Sequence, residues 1–233
     1  MDLDRWALAF ACLPWPERRK AELWREVDRG QTPRLTPDEA SALERMDPMR
    51  FREEAARRGA RLFLPSDPGM GRFEAELPYP VPLWVRGTLP PAGPALALVG
   101  SREASRRGRE RARRWARRLT EAGIAVLSGL ARGIDGAAHE GALEAGPTWG
   151  VLGSGLDQPY PREHLGLMDR MVAAGGGVLT PFPPSAPPRP WHFPRRNWLL
   201  VAWTLGVVVL EGRLRSGSLV TARLALDLGR ELW

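Results

Sequence analysis

Residues 95–102, Ala-Leu-Ala-Leu-Val-Gly-Ser-Arg, decide how the rest of the chain is interpreted. Five consecutive apolar residues are too few for a helix and fit a strand that is buried on both faces. The glycine at position 100 marks the tight turn that ends the strand, and residues 107–122 then show helical spacing. We therefore predict a strand over residues 95–99 and a helix directly after it.

The same alternation continues to the end of the chain, and two short strand candidates precede it. Predicted strands cover residues 124–127, 149–152, 177–179 and 207–210, and the earlier candidates are residues 61–64 and 83–85. Predicted helices cover residues 135–145, 162–174, 197–204 and 218–228. Short apolar strands that alternate with helices are typical of a buried parallel sheet, so we predict an α/β fold with a mostly parallel sheet.

Residues 1–59 differ from this pattern because their apolar residues recur at helical spacing. The stretch 36–39, Thr-Pro-Asp-Glu, is a typical helix start, with a capping threonine, a proline in the first turn and two acids. We therefore predict a small all-helical module over residues 1–59, followed by the α/β domain over residues 60–233.

The charge balance limits the kinds of partner. Lysine and arginine number 34 against 27 acidic residues, which gives a formal net charge of +7 that attracts polyanions. Codon bias explains why arginine replaces lysine, of which Lys20 is the sole example, but it does not explain the excess of bases. Charge alone therefore leaves nucleic acid and other acidic partners open.

The cysteine count and the length of the apolar runs limit the cellular compartments in which we expect the protein. Cys12 is the single cysteine, which excludes an intrachain disulfide and a zinc site built from cysteines. No apolar run in the sequence reaches the length that a bilayer requires. We expect a cytoplasmic protein that makes no membrane contact.

Glycine, serine and arginine follow several predicted strands, at the edge of a parallel sheet where ligands bind. The stretches are Val-Gly-Ser-Arg at 99–102, Leu-Ser-Gly-Leu-Ala-Arg-Gly at 127–133, Leu-Gly-Ser-Gly at 152–155 and Arg-Ser-Gly-Ser at 215–218. Glycine lets the backbone approach a ligand closely, serine donates a hydroxyl and the arginine fork matches phosphate. One such turn is ordinary turn chemistry, but four of them favour a phosphate-rich ligand.

Familiar nucleotide and catalytic patterns do not fit these turns. The dinucleotide pattern G-x-G-x-x-G fails after Gly100, and the pattern G-x-x-x-x-G-K-[ST] does not occur. Asp135 and His139 stand one helical turn apart, and we interpret them as a helix-terminal acid bonded to a half-buried histidine rather than as a catalytic pair. We therefore expect no catalytic residue, no metal site and no cofactor.

The stretch 191–198, Trp-His-Phe-Pro-Arg-Arg-Asn-Trp, interleaves aromatic rings with arginines. Such rings stack on bases while guanidinium groups hold phosphates, which is what binding of a single strand needs. The alternative is a loop whose rings pack onto the sheet, and we prefer that alternative for Trp198. For Arg195 and Arg196 we prefer contact with the ligand. The eight arginines between positions 106 and 118 are interpreted mainly as a source of long-range potential.

Five motifs, in this order and spacing, resemble the DprA/Smf family of DNA-processing proteins. They are Val-Gly-Ser-Arg at 99–102, Ser-Gly-Leu-Ala-Arg-Gly-Ile-Asp-Gly-Ala-Ala-His at 128–139, Gly-Ser-Gly-Leu-Asp at 153–157 with Tyr160-Pro161, Phe-Pro-Arg-Arg-Asn at 193–197, and Arg-Ser-Gly-Ser-Leu-Val-Thr-Ala at 215–222. The second motif is highly specific. Residues 67–87 also resemble the family's lead-in to this domain, and residues 1–59 resemble its sterile-alpha-motif-like module.

The resemblance implies an extended Rossmann-like fold that binds single-stranded DNA without cutting it. It also implies loading of the recombinase RecA during natural transformation, and assembly of a homodimer. The amides of Gly100 and Ser101 are then expected to grip phosphate. The full set of implied DNA-binding residues is Gly100, Ser101, Arg102, Ser128, Gly129, Arg132, Arg162, Phe193, Arg195, Arg196, Asn197, Ser216, Gly217 and Ser218.

Two alternatives from other classes stay open at this point. A phosphoribohydrolase of related fold carries the motif P-G-G-x-G-T-x-x-E, whereas residues 216–222 contain no acid. A nucleotide-sensing module is the other alternative.

The chain stops at Glu231-Leu232-Trp233, where the resemblance predicts the middle of another strand. We therefore expect either a truncated domain or an unusual natural variant, since family members generally complete this strand and many add a winged-helix module.

Overall fold

The computed structural model describes residues 2–70, 77–213 and 216–233. The strands are β1 (Arg61–Phe63), β2 (Leu83–Gly87), β3 (Ala95–Gly100), β4 (Ala125–Ser128), β5 (Thr148–Val151), β6 (Gly177–Thr180), β7 (Gly206–Glu211) and β8 (Glu231–Leu232). The helices are α1 (Leu3–Cys12), α2 (Glu17–Asp28), α3 (Pro37–Glu44), α4 (Pro48–Arg57), α5 (Arg106–Glu121), α6 (Ile134–Ala142), α7 (Leu165–Ala173), α8 (His192–Ala202) and α9 (Gly217–Asp227). Among these residues, no helix combines the length and the apolar character that a membrane crossing requires.

The described strands form one sheet in the order β1-β2-β6-β5-β4-β3-β7-β8. From β6 to β8 every neighbouring pair is parallel, whereas β2 pairs antiparallel with both β1 and β6. The predicted α/β fold with a mostly parallel sheet is therefore confirmed. The strand expected at Glu231 is present as β8, next to β7.

The start of one predicted helix is wrong. The helix expected over residues 197–204 begins five residues earlier, because α8 starts at His192. Pro194 does not prevent this start, since a first-turn residue has no intrahelical partner for its backbone nitrogen. The aromatic and arginine side chains of residues 192–198 therefore project from a helix, about 100° apart from one residue to the next.

The N-terminal helices pack directly on the antiparallel end of the sheet. Trp6 and Phe10 of α1 are buried in one hydrophobic cluster with Leu83 and Val85 of β2. Leu8 of the same helix is buried in a second cluster that also contains residues of β1 and β2. The division of the chain at residues 59 and 60 stays a prediction, because these helices and the sheet share their hydrophobic clusters.

Helices α5 and α6 lie against the same face of the sheet and touch through a glycine. Small residues of α5, Ala112 and Ala116, are buried with Ile134 and Ala138 of α6. A Cβ atom at Gly141 of α6 would overlap the backbone of Arg113 in α5. Only glycine therefore allows this close approach of the two helices.

We expect Gly141→Ala to lower the free energy of unfolding by about 1–3 kcal/mol, because the added methyl group must push two helices apart. Gly166→Ala is the matched control, since Gly166 lies in α7 with nothing within 4 Å of a Cβ atom. We expect the control to be neutral or stabilising by up to about 1 kcal/mol. Urea unfolding of the two variants checks this, and equal stability of both would contradict the packing described.

Candidate nucleic-acid interface

The sheet has a topological switch point between β3 and β7. From β3 the chain proceeds on one side through β4, β5 and β6, and it later returns to the other side as β7. Loops that leave the sheet in opposite directions open a crevice beyond the carboxyl ends of the strands, which is where ligands bind in such folds. A cleft of about 380 Å³ lies at this position and is called here the switch-point cleft.

The switch-point cleft brings together most of the predicted site residues. It is lined by residues that follow β3, by the first turns of α8 and by the start of α9. The predicted residues among them are Gly100, Ser101, Arg102, Phe193, Arg196, Asn197, Ser216, Gly217 and Ser218. The other predicted residues, Ser128, Gly129, Arg132, Arg162 and Arg195, do not line it.

One rim of the cleft combines an open cation with aromatic rings. The side chain of Arg102 is exposed, and its guanidinium carbon lies 5.0 Å from the centre of the Phe193 ring. Among the described residues no carboxylate forms an ion pair with Arg102. Tyr160, which is 41% exposed, meets Phe193 edge-on at 6.0 Å. Tyr160 was absent from the predicted site residues, although the Tyr160-Pro161 motif drew attention to it.

The start of α9 forms another wall of the cleft. Ser216 is the N-cap residue, but its side chain does not bond to the amides of the first turn. Its hydroxyl lies 2.8 Å from that of Ser218 instead. Amides at a helix start point along the axis and carry partial positive charge, so this end suits an anion. Arg215, the remaining cation of the predicted motif, lies outside the described residues.

The floor of the cleft contains a buried cation. Arg196 is only 4% exposed, and its Nη1 donates to the carbonyl oxygens of Gly129 and Val151, which lie at the ends of β4 and β5. Its Nε donates to Oδ1 of Asn197 at 3.0 Å, and Nδ2 of Asn197 donates to Thr221 at 2.8 Å. Burial lowers the pKa of Arg196 to about 10 while Asp135 opposes the shift, so the charge persists at neutral pH.

The prediction that the amides of Gly100 and Ser101 bind phosphate is wrong. The carboxylate of Asp135 accepts a bond from the Ala131 amide at 3.3 Å, and the amides of Gly100 and Gly129 also face it and favour its charged form. The Ser101 amide donates to the carbonyl oxygen of Glu211 at 2.7 Å. Burial raises the pKa of Asp135, whereas Arg196 and the three amides act in the opposite direction. These amides therefore hold the strand ends together and are not open to a ligand.

The predicted bond between Asp135 and His139 is also wrong. His139 is fully buried, and its Nδ1 lies 2.9 Å from the hydroxyl oxygen of Thr148. That hydroxyl donates to the carbonyl of Val126, so the histidine Nδ1–H must be the donor in this pair. Burial lowers the pKa of His139 to about 3, and the ring is therefore neutral. It joins α6 to β4 and β5.

Two residues of the motif at 128–139 have structural roles in the protein interior. Ser128 has no exposed surface, and its hydroxyl donates to the carbonyl of Leu98 at 2.5 Å, which ties β4 to β3. A Cβ atom at Gly129 would lie 2.5 Å from Nη2 of Arg196 and 2.7 Å from Oδ2 of Asp135. Glycine is therefore required where these two buried charges pack.

The three remaining predicted arginines lie outside the cleft. Arg132 is bound by both oxygens of Glu163, at 2.9 and 2.7 Å. Arg195 pairs with Glu17 of α2 at 3.1 Å, and its guanidinium carbon lies 5.3 Å from the centre of the Tyr79 ring. Arg162 is exposed, and no ion pair involves it in the described parts of the chain. Arg195 thus faces the N-terminal helices.

Helix α5 carries paired and unpaired arginines on different faces. Carboxylates pair with Arg106, Arg113 and Arg117. Five exposed arginines have no ion pair in the described ranges: Arg109 donates to the carbonyl of Ala104, and the other four recur at i, i+4, i+7 and i+11, namely Arg107, Arg111, Arg114 and Arg118. This stripe is a source of positive potential near the switch-point cleft, because α5 begins where β3 and β7 end.

Comparison with known sequences places the chain among DNA-processing proteins. A family model described as DNA recombination-mediator protein A matches residues 73–233. Protein Smf of Escherichia coli is 45% identical over 157 residues, which are 66% of this chain and 42% of that protein. DNA processing protein DprA of Bacillus subtilis is 38% identical over 157 residues, 66% of this chain and 52% of that protein. The chain thus spans about half the length of the curated relatives it matches.

Solved structures agree with this result. DprA from Streptococcus pneumoniae superposes with a TM-score of 0.76 at 28% identity and covers 100% of this chain and 86% of that chain. DNA processing protein A from Helicobacter pylori, whose structure is described as giving insight into a unique single-stranded DNA binding mode, superposes with a TM-score of 0.62 at 26% identity, over 69% of this chain and 75% of that chain. The expected Rossmann-like fold and the resemblance to DprA and Smf proteins are thereby confirmed. The chain belongs to the family of DNA recombination-mediator protein A.

Proposed function

We propose that this chain binds single-stranded DNA in the switch-point cleft. The observation that carries the proposal is the meeting of the open Arg102 guanidinium with the uncapped start of α9, above the buried charge of Arg196. Three positive features on one concave surface favour a chain of phosphates. The description of the related H. pylori protein as a binder of single-stranded DNA supports the choice of ligand.

The proposed contacts are with phosphates and with the faces of bases. Phe193 and Tyr160 line up beside Arg102, so that bases can stack next to a held phosphate. Every base has a flat π face, and binding of this kind tolerates most sequences. We therefore expect little sequence preference and a preference for strands whose bases are unpaired.

We propose that the DNA is held and not cut. Among the described residues that line the cleft, the acidic ones are Glu103 and Asp135, and each has a polar partner. Glu103 pairs with Arg213 at 3.2 Å, and the Asp135 carboxylate accepts a bond from the Ala131 amide. A general acid or base would need a carboxylate that can reach the substrate. The same argument disfavours a phosphoribohydrolase, whose glutamate has no counterpart in residues 216–222.

The wider role that we propose is delivery of the bound strand to the recombinase RecA during natural transformation, by a cytoplasmic homodimer. Membership of a family described as a recombination mediator supports this role. Assembly of RecA on a strand coated with single-strand binding protein, followed with and without this chain, tests the delivery step. An unchanged assembly rate would contradict it.

Replacing Gly217 with aspartate should separate DNA binding from stability. The position is open, with nothing within 4 Å of a Cβ atom, and an acid in the first helical turn leaves stability unchanged or raises it by up to about 1 kcal/mol. The same carboxylate repels phosphate, so we expect affinity for single-stranded DNA to fall roughly tenfold. Gly217→Asn is the neutral control, and fluorescence anisotropy is the measurement. Equal affinity of the two variants would remove the start of α9 from the interface.

Replacing Arg102 with alanine should weaken binding of single-stranded DNA roughly tenfold, because one charge-assisted phosphate contact is lost. The slope of log affinity against log salt should become shallower by about 0.7. Arg170→Ala is the control, since Arg170 is exposed in the last turn of α7. That turn lies near the amino ends of the strands, away from the cleft, because a helix that connects two parallel strands runs antiparallel to them. Similar losses for the two variants would contradict a specific role for Arg102.

A further inference from the structure

A second groove adjoins the switch-point cleft and is called here the tryptophan groove. Its volume is about 450 Å³, within the range of ligand sites, and its walls include Trp191, Trp198 and Tyr79. Pro194 and Val220 line both the cleft and the groove. The two depressions are therefore continuous, and a strand that leaves the cleft past these residues enters the groove.

One face of α9 forms the common wall. The groove is lined by Val220, Arg223, Leu224 and Asp227, which recur at i, i+3, i+4 and i+7 and so lie on one side of the helix. The start of the same helix lies in the cleft. From Val220 to Asp227 the axis advances about 10 Å, so the groove extends the cleft along the helix.

Trp191 offers an aromatic face in this groove. The side chain is 60% exposed, which is unusual for so large an apolar group. The guanidinium carbon of Arg189 lies 5.3 Å from the centre of its ring, and His192 meets the ring edge-on at 6.0 Å. Trp191 is thus held by two neighbours and still leaves most of its surface to a ligand. Trp198, by contrast, packs against the hydrophobic core with part of its ring open.

The charged side chains that line the groove in the described ranges are balanced, with Glu17 and Asp227 against Arg195 and Arg223. Glu17 is neutralised, since it pairs with Lys20 and Arg195 at 3.1 Å each and accepts a bond from the Tyr79 hydroxyl. Asp227 is exposed and has no ion pair among the described residues. A carboxylate repels a phosphate but accepts a bond from the amino group of a base. Arg223, also exposed, stands one turn before it.

We propose that the tryptophan groove is a nucleobase site that receives a base next to the phosphate held in the switch-point cleft, with Trp191 as its stacking face. This inference rests on the proposed function, because it assigns the occupant from continuity with the DNA-binding cleft. The cleft and the groove then hold adjacent parts of one DNA strand: a phosphate at the start of α9, and a base beside the middle of that helix.

The test compares Trp191→Ala with the wild-type chain on two labelled probes, an oligothymidylate and an abasic strand of equal length. We expect the variant to bind oligothymidylate about fivefold more weakly and the abasic strand equally well, since the lost contact is with a base. Trp115→Ala is the matched control, because Trp115 is 45% exposed on α5, outside the groove. Trp191→Phe should restore most of the affinity, and thermal unfolding should be the same for all variants.

The outcomes separate this inference from the proposed function. If Trp191→Ala binds both probes like wild type, or weakens both equally, the nucleobase site is overturned while DNA binding in the cleft stands. If Trp115→Ala causes the same loss as Trp191→Ala, the assignment of the groove is overturned as well. If wild type binds neither probe, the proposed function itself fails.

Discussion

Two buried charges at the carboxyl ends of the central strands hold the site together. Backbone groups that leave a sheet must still find hydrogen-bond partners when they are buried. Asp135 accepts a bond from the Ala131 amide and faces the amides of Gly100 and Gly129, and Arg196 donates to the carbonyls of Gly129 and Val151. One acidic and one basic side chain thereby meet the buried backbone groups at the ends of β3, β4 and β5. Removing either would leave the other buried without its counter-charge, which destabilises the fold.

This constraint separates the residues that build the floor from those that meet the ligand. The long motif at 128–139 identifies the family most specifically, yet Ser128, Asp135 and His139 are all buried and bonded within the protein. The open positions are Arg102 and the start of α9. The motif that is most specific to the family therefore mainly builds the floor of the cleft. The rim residues carry the proposed contact with DNA.

The sequence predicted the sheet well because each strand is a short apolar run that ends at a polar or glycine-rich turn. The directions of individual side chains were harder to predict from the sequence. Arg195 and Arg196 are neighbours in sequence, but helical geometry turns them about 100° apart. One consequently meets Glu17 and the other the strand ends. The i, i+4 spacing of Asp135 and His139 gave no sign that strand-end amides would claim the acid and Thr148 the histidine. Leu130 adopts a left-handed φ of 56°, which the sequence does not predict because leucine rarely has a positive φ.

The salt dependence of binding to single-stranded and duplex DNA is the decisive measurement for the switch-point cleft. Two or three phosphates held by Arg102, the start of α9 and their neighbours should give a slope of log affinity against log salt between about −1.4 and −2.1, at about −0.7 for each phosphate. Stacking needs unpaired bases, so a duplex of equal length should bind roughly tenfold more weakly. A slope near zero, or equal affinity for the two forms of DNA, would contradict a cleft that holds single-stranded DNA.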